Sequence, residues 1–137
     1  MIYVDTNVFV DMLKPDREWL EWSKEELEKG LAQDELVTGP IVIAELARHA
    51  DSVDALVSLA AGFGARVEPW SLEASFYAGK AYASYRAAGG TRRTILADLL
   101  TGGHAVALGA TILTRDPRRF RAYFPDLSLI APETDHG

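Results

Sequence analysis

The chain has 137 residues, of which 48% are hydrophobic, and these values are typical of one compact domain spanning the whole chain. Cysteine is absent, which excludes a disulfide framework, a thiolate metal site and a thiol nucleophile. No apolar run reaches the length of about 18 residues that a membrane helix needs. The chain begins directly in an apolar strand pattern, so we expect a cytoplasmic protein that has no signal peptide and no contact with a membrane.

The charges are distributed unevenly along the chain. The net charge is −6, which by itself argues weakly against a nucleic-acid partner. Between positions 86 and 121, however, there are seven arginines and only two acidic residues, a local balance of +5. Because the planar fork of arginine binds two phosphate oxygens at once, this segment is suited to holding a polyanion on an otherwise acidic protein.

In chain order, short apolar runs alternate with segments of helical spacing. The first half predicts a strand at 2–4, a short helix from residue 6, a helix at about 17–32, a strand at 35–38, a helix at 41–50 and another ending near 62. The second half predicts a strand at 66–70, a helix to about 87, a helix at 94–108, a strand at 111–114, a short helix or turn to 124 and a strand at 127–130. This alternation is typical of an α/β fold with a mainly parallel sheet, followed by a loose tail at 131–137.

Four acidic residues stand out by their positions. Asp5 ends the first strand, Asp116 follows the fourth, and Glu45 and Asp98 lie in helices among apolar neighbours. Each has a structural alternative. Asp5 suits a helix cap, Glu45 a solvated helix face, Asp98 an ion pair with Arg92 or Arg93, and Asp116 a turn.

The same four residues also suit a metal site. The carboxyl ends of parallel strands lie along one edge of a sheet, so Asp5 and Asp116 are expected at the same edge. Glu45 and Asp98 are expected to be partly buried, where a carboxylate is costly unless it is paired or binds a metal. If the four converge, their repulsion calls for a cation, and oxygen ligands without cysteine favour Mg²⁺ or Mn²⁺.

Three segments together resemble the PIN domain family, and more narrowly the VapC-type toxin ribonucleases of type II toxin–antitoxin pairs. They are MIYVDTNVFVD, IVIAELARH and ILADLLTGGHAVALGATILTRDPRRF, and the resemblance extends from the first residue to about residue 130. It implies a PIN-like three-layer α/β/α sandwich around a central, mainly parallel sheet of four to five strands. The family's acidic quartet, which holds the metal and carries catalysis, falls on Asp5, Glu45, Asp98 and Asp116. Its supporting polar residues fall on Asn7 and Thr114.

The resemblance implies an endoribonuclease that cleaves RNA phosphodiester bonds with Mg²⁺ or Mn²⁺ held by the quartet. Five arginines are candidates to contact flanking phosphates, with surface solubility and ion pairing as the alternative: Arg86, Arg92, Arg93, Arg115 and Arg118. The implied partner is a VapB-type antitoxin, which binds a homodimer in a heterotetramer or larger assembly. Trp22 lies off the apolar stripe that contains Trp19, so it is either an antitoxin contact or additional core.

Other features leave alternatives open. Gly102 and Gly103 interrupt the helix that carries Asp98, which indicates close packing on the sheet or a kink. His104 is interpreted as a structural histidine rather than a catalytic one. The alternative functions are an RNA-processing nuclease outside a toxin–antitoxin system, a metal-binding or protein-binding module without catalysis, and a phosphotransfer enzyme with Asp5 as nucleophile. Haloacid-dehalogenase-like phosphatases of the last kind need a second aspartate at the position of Asn7.

Overall fold

The computed structural model describes residues 1–14 and 18–132. Its strands are β1 (Ile2–Val4), β2 (Leu36–Thr38), β3 (Ala65–Val67), β4 (Thr111–Leu113) and β5 (Leu129–Ile130). Its α-helices are α1 (Thr6–Leu13), α2 (Leu20–Gln33), α3 (Pro40–Leu46), α4 (Val53–Gly62), α5 (Leu72–Ala87), α6 (Leu96–Leu108) and α7 (Arg118–Tyr123). Single 3₁₀ turns follow α3 and precede α6. Most of the predicted tail, from residue 133 onward, lies outside the described residues.

The five strands form one parallel sheet in the order β3-β2-β1-β4-β5. β1 lies at the centre, where Tyr3 is in register with Val37 of β2 on one side and with Ile112 of β4 on the other. Helices flank the sheet, which confirms the predicted α/β/α fold and the mainly parallel sheet of four to five strands. From β1 the chain adds β2 and β3 on one side of the sheet, and it then crosses back to add β4 and β5 on the other side. A crevice therefore opens between the carboxyl ends of β1 and β4, and α/β folds of this kind bind ligands there.

The core is built on the central strands and on a close contact between two helices. Tyr3, Val4, Val37 and Ile112 are completely buried. β-branched and aromatic side chains favour such strands, which are covered on both faces by helices. In the described ranges, no helix combines the length and the apolar character that crossing a bilayer requires.

The glycine pair in α6 marks close packing, but against a helix and a ring rather than against the sheet. A Cβ atom at Gly103 would lie 2.6 Å from the backbone nitrogen of Ala78 in α5. A Cβ atom at Gly102 would overlap the ring of Phe124. Gly103 therefore lets α6 lie directly on α5 and Gly102 makes room for the Phe124 ring, and these two contacts offset the cost of two glycines inside a helix.

His104 is fully buried and has a partner at each ring nitrogen. Its Nε2–H donates to the Pro69 carbonyl at 3.0 Å, and its Nδ1 accepts from the Tyr3 hydroxyl at 2.9 Å. A carbonyl can only accept, which places the single proton of the neutral ring on Nε2. Burial lowers the pKa of His104, and these contacts support the structural interpretation of this residue.

The depressed pKa of His104 predicts a pH-dependent contribution to stability. Below about pH 6.5 the unfolded chain takes up a proton that folded His104 does not, so wild-type stability falls as the pH falls. We therefore expect His104→Gln to destabilise the protein at pH 7.5, and the difference from wild type to be smaller at pH 5. Urea denaturation at both pH values measures this difference, with His49→Gln as the matched control. A difference that does not change with pH would contradict the prediction.

Candidate active site

Asp5 and Thr114 meet in the crevice between the central strands. Asp5 directly follows β1 and Thr114 directly follows β4, and the Asp5 N–H donates to the Leu113 carbonyl at 3.0 Å. Both side chains are buried, with only 7% of Asp5 exposed and none of Thr114. Strand pairing therefore brings together two polar side chains that are 109 positions apart in the chain.

Both carboxylate oxygens of Asp5 accept hydrogen bonds from the protein. The backbone N–H of Thr6 donates to Oδ1 at 2.8 Å, so Asp5 is the N-cap of α1 as well as a residue of the crevice. The Thr114 hydroxyl donates to Oδ2, also at 2.8 Å. The cap and the site interpretations of Asp5 are thus compatible, because different oxygens of one carboxylate serve them.

Asn7 and Thr114 connect the start of α1 to the loop after β4. The Asn7 amide nitrogen lies 3.2 Å from the Thr114 hydroxyl oxygen, and the Asn7 amide oxygen accepts from the Arg115 N–H at 3.2 Å. The same hydroxyl oxygen accepts from the Asp116 N–H at 3.0 Å. Both residues therefore lie where they fix the Asp5 carboxylate and the course of the adjacent loop.

Three of the four predicted carboxylates line one open depression of about 310 Å³, which also contains Arg115. They are Asp5, Glu45 and Asp98. The Thr6 hydroxyl donates to Glu45 at 2.7 Å, which ties α3 to the start of α1. Asp98 is half-buried as expected, but the prediction that Glu45 is partly buried was wrong. Its neighbours Val42 and Leu46 face the core, and the helical phase turns Glu45 outward.

The fourth carboxylate, Asp116, is exposed and lies outside this depression, beside Arg118 and Arg119. Arg118 Nε lies 3.5 Å from Asp116 Oδ1, and Arg119 forms a direct ion pair with Asp98. Within residues 1–14 and 18–132, no three acidic or histidine side chains stand close enough together to hold a metal ion. Arginines of α7 thus pair with two of the four carboxylates.

The Asp98 partner was not found from the sequence. Asp98 pairs with Arg119, not with Arg92 or Arg93, which are exposed just before α6. Arg86 donates to the Gly90 carbonyl at 3.1 Å, away from the depression. Of the five arginines proposed for phosphate contact, Arg115 alone lines the depression among the described residues.

The Asp5 carboxylate is under electrostatic stress. The pKa of Asp5 is raised to about 6, mainly by burial; the hydrogen bonds from Thr114 and Thr6 oppose this shift, and the nearby charges of Asp98 and Glu45 add to it. A divalent cation would relieve this repulsion. The donors around the depression are carboxylate oxygens, without sulfur or imidazole, and this set fits Mg²⁺ or Mn²⁺.

Comparisons with known proteins agree with this fold. A model of the PIN domain family matches residues 2–124, and none of the curated proteins matches the chain. VapBC2 from Rickettsia felis, bound to a DNA fragment from the promoter, has a similar chain with 24% identity and a TM-score of 0.73, covering 96% of this chain and 98% of that one. A chain of VapBC-1 from nontypeable Haemophilus influenzae is 21% identical with a TM-score of 0.70, and the match covers 96% of this chain and 98% of that one. A chain of FitAcB from Neisseria gonorrhoeae is 21% identical with a TM-score of 0.66, and the match covers 95% of this chain and 96% of that one.

The raised pKa of Asp5 predicts that this carboxylate destabilises the metal-free fold near neutral pH. Because the pKa of Asp5 is higher in the folded protein than in the unfolded chain, the protonated Asp5 carboxyl contributes stability that is fully present below about pH 4. This contribution is lost as the pH rises through about 6. We expect Asp5→Asn to stabilise the EDTA-treated protein by about 1–2 kcal/mol at pH 7.5, somewhat less than the shift alone implies because the amide nitrogen cannot accept from Thr114.

The gain should disappear at pH 4, where the wild-type carboxyl is already protonated when folded. Thermal or urea denaturation at the two pH values measures it. Asp126→Asn, at an exposed position before β5, is the matched control. Destabilisation by Asp5→Asn at pH 7.5 would show that the cap and the Thr114 contact outweigh the repulsion.

Proposed function

Because the chain belongs to the PIN domain family, we propose that it is a metal-dependent endoribonuclease, the toxin of a VapBC-type toxin–antitoxin pair. The observation that carries the proposal is the convergence of Asp5, Glu45 and Asp98 on one depression at the switch point of the sheet. The solved structures of similar fold, which are described as VapBC and FitAcB, support the toxin assignment.

To hold Mg²⁺ or Mn²⁺, Asp5 and Asp98 would draw closer together than they stand in the structure, with Glu45 either as a third ligand or as the base that orients a water molecule. Asp98 would first part from Arg119, and the exposed Asp116 would join them once Arg118 turns away. A bound divalent cation supplies a more acidic water and offsets charge on the phosphate and on the leaving 3′-oxygen. The charges of Asp98 and Glu45 repel the buried Asp5 carboxylate, and this repulsion would be offset by a bound cation. Thr114 and Asn7 would keep the Asp5 carboxylate aimed at it.

The chain's own residues suit in-line hydrolysis that leaves a 5′-phosphate and a 3′-hydroxyl. Glu45 is exposed and held by the Thr6 hydroxyl, so it is placed to orient a water molecule and accept its proton. Arg115 lines the same depression and is placed to contact a phosphate oxygen. Arg86, Arg92, Arg93 and Arg118 do not line the depression, so they would contact the RNA strand farther from the cleaved bond.

A VapB-type antitoxin is the proposed protein partner, bound to a homodimer in a cytoplasmic heterotetramer or larger assembly. Trp22 would contribute to the antitoxin contact. Its ring is half-buried, packs partly against the core and meets the Trp19 ring edge-on at 6.2 Å. The buried part of the ring supports the core interpretation, and the exposed part leaves surface for the proposed antitoxin contact.

A phosphotransfer reaction at Asp5 is disfavoured by the surroundings of its carboxylate. Each oxygen already accepts a hydrogen bond from the protein, one from the Thr6 N–H and one from the Thr114 hydroxyl. The side chain two positions later is the amide of Asn7, which cannot act as the general acid or base that such an enzyme needs.

The nuclease proposal predicts metal-dependent cleavage of RNA by the purified chain. We expect discrete fragments with Mg²⁺ or Mn²⁺, no fragments with EDTA, and a loss of about 100-fold or more in Asp5→Asn and Asp98→Asn, because each removes a carboxylate from the depression. Asp126→Asn, with an exposed carboxylate that does not line the depression, is the control and should cleave like wild type.

Absence of cleavage by the folded, metal-supplemented wild type across total RNA would contradict the proposal. Sequencing of the fragment ends identifies the RNA class and the cleavage site. Growth arrest on expression of wild type but not of Asp98→Asn distinguishes a toxin from an RNA-processing nuclease.

A further inference from the structure

Asp11 of α1 is a completely buried carboxylate that the proposed chemistry does not use. Its Oδ2 accepts two short hydrogen bonds, one from Arg115 Nε at 2.6 Å and one from the Ser23 hydroxyl at 2.7 Å. Its Oδ1 is buried without a hydrogen-bond partner in the part of the chain that the structure describes. Such a charge is costly to bury, and apolar residues of similar size often replace a buried ion pair without loss of stability. Stability alone therefore explains it poorly.

The partner of Asp11 lies at the edge of the acidic depression. The Arg115 side chain is 24% exposed and lines the depression together with Asp5, Glu45 and Asp98. Asp11 occupies Nε, whereas the terminal nitrogens Nη1 and Nη2 make no hydrogen bond to any residue that the structure describes. The guanidinium is thus anchored through one nitrogen and keeps two donors for another acceptor.

The anchoring distinguishes Arg115 from the arginines of α7. Arg118 and Arg119 pair with the site carboxylates Asp116 and Asp98. Arg115 lines the depression beside acidic residues but is paired with a carboxylate outside it. Because Asp11 is completely buried and Arg115 only partly exposed, this pair is less screened by water than the pairs of α7, and it engages the Arg115 Nε with a carboxylate that is not a candidate metal ligand. The backbone of Arg115 is fixed as well, through its N–H bond to Asn7.

Resting on the proposed nuclease function, we propose that Arg115 binds a phosphate of the RNA strand and that Asp11 and Ser23 are positioning residues that fix its guanidinium. A fixed planar fork suits a phosphate, whose oxygens accept paired N–H donors. It also places positive charge at a depression that would otherwise repel a polyanion. Ser23 supports the arrangement from α2 by holding the shared oxygen of Asp11.

The test measures the binding and the cleavage of RNA by variants that keep the buried pair close in shape. The variants are Asp11→Asn, Arg115→Gln, the double variant and Ser23→Ala. Arg66→Ala is the matched control, because Arg66 is an ion-paired arginine of β3 that does not line the depression. Binding of a labelled single-stranded oligoribonucleotide is titrated with Ca²⁺ at several salt concentrations, and cleavage kinetics are measured with Mn²⁺. Thermal denaturation of each variant separates loss of fold from loss of function.

We expect Arg115→Gln to weaken oligonucleotide binding about tenfold and to reduce the slope of log K against log salt by about 0.7, the value for one phosphate contact on a single strand. Asp11→Asn should change the slope in the same direction, and the double variant should bind no more weakly than Arg115→Gln, because both residues act through one contact. The effect should fall on KM more than on kcat. Ser23→Ala should cause a smaller loss of the same kind.

A purely structural role for the pair predicts a different result. Asp11→Asn would then lower the melting temperature but bind with the wild-type salt slope, and Arg115→Gln would bind like Arg66→Ala. If the wild type binds and cleaves RNA, either of these results for the variants would overturn this inference but not the nuclease proposal. A wild type that neither binds the oligonucleotide nor cleaves RNA would overturn the nuclease proposal as well.

Discussion

The structure depends on the parallel pairing of β1 with β4, since this pairing buries the Asp5 carboxylate at the switch point, where the order of the strands in the sheet reverses. Each strand has only three residues, so the polar residue that follows each one lies at the sheet edge and cannot move far from its neighbour. The Thr114 hydroxyl and the Thr6 N–H satisfy the two oxygens of Asp5. Every other element of the depression is arranged around this fixed carboxylate: α1 begins on it, α3 is tied to α1 through Thr6, and α6 brings Asp98 near.

The same arrangement is unfavourable for the metal-free fold. The raised pKa of Asp5 shows that its charged form is destabilised by burial and by two neighbouring carboxylates. Natural proteins keep such destabilised groups mainly at functional sites. His104, a buried polar residue of α6 that is hydrogen-bonded to Tyr3 of the same central strand, shows the opposite case. Both of its nitrogens have partners and no charge is retained, so its network supports the fold. This contrast between a satisfied histidine and a stressed aspartate favours a functional interpretation of Asp5 and a structural one of His104.

Much of the fold was predictable from the sequence because the signals are local. Strand ends identified Asp5 and Asp116, the family resemblance pointed to Asn7 and Thr114, and that resemblance is confirmed by the match to residues 2–124. The exposure of Glu45 was not predicted, because its apolar neighbours in the sequence lie on a different face of a short helix. The ion pair of Asp98 with Arg119 was missed because it joins residues 21 positions apart, in helices whose packing the local pattern does not specify. The hydrogen bond between Ser23 and Asp11 was not predicted for the same reason, since it depends on the packing of α1 against α2.

The arginines around the depression bear on the conflict between an acidic site and the polyanionic ligand proposed for it. Arg118 and Arg119 pair with Asp116 and Asp98, which lowers the local negative charge but leaves those carboxylates engaged. These pairs are partly exposed, so each contributes little to stability and is easily exchanged for a cation or a phosphate. Arg115 differs, because its partner is fully buried and exchange would leave an uncompensated charge in the core. One arginine therefore stays in place while the other two are free to rearrange, which suits the proposed binding of both a cation and a phosphate.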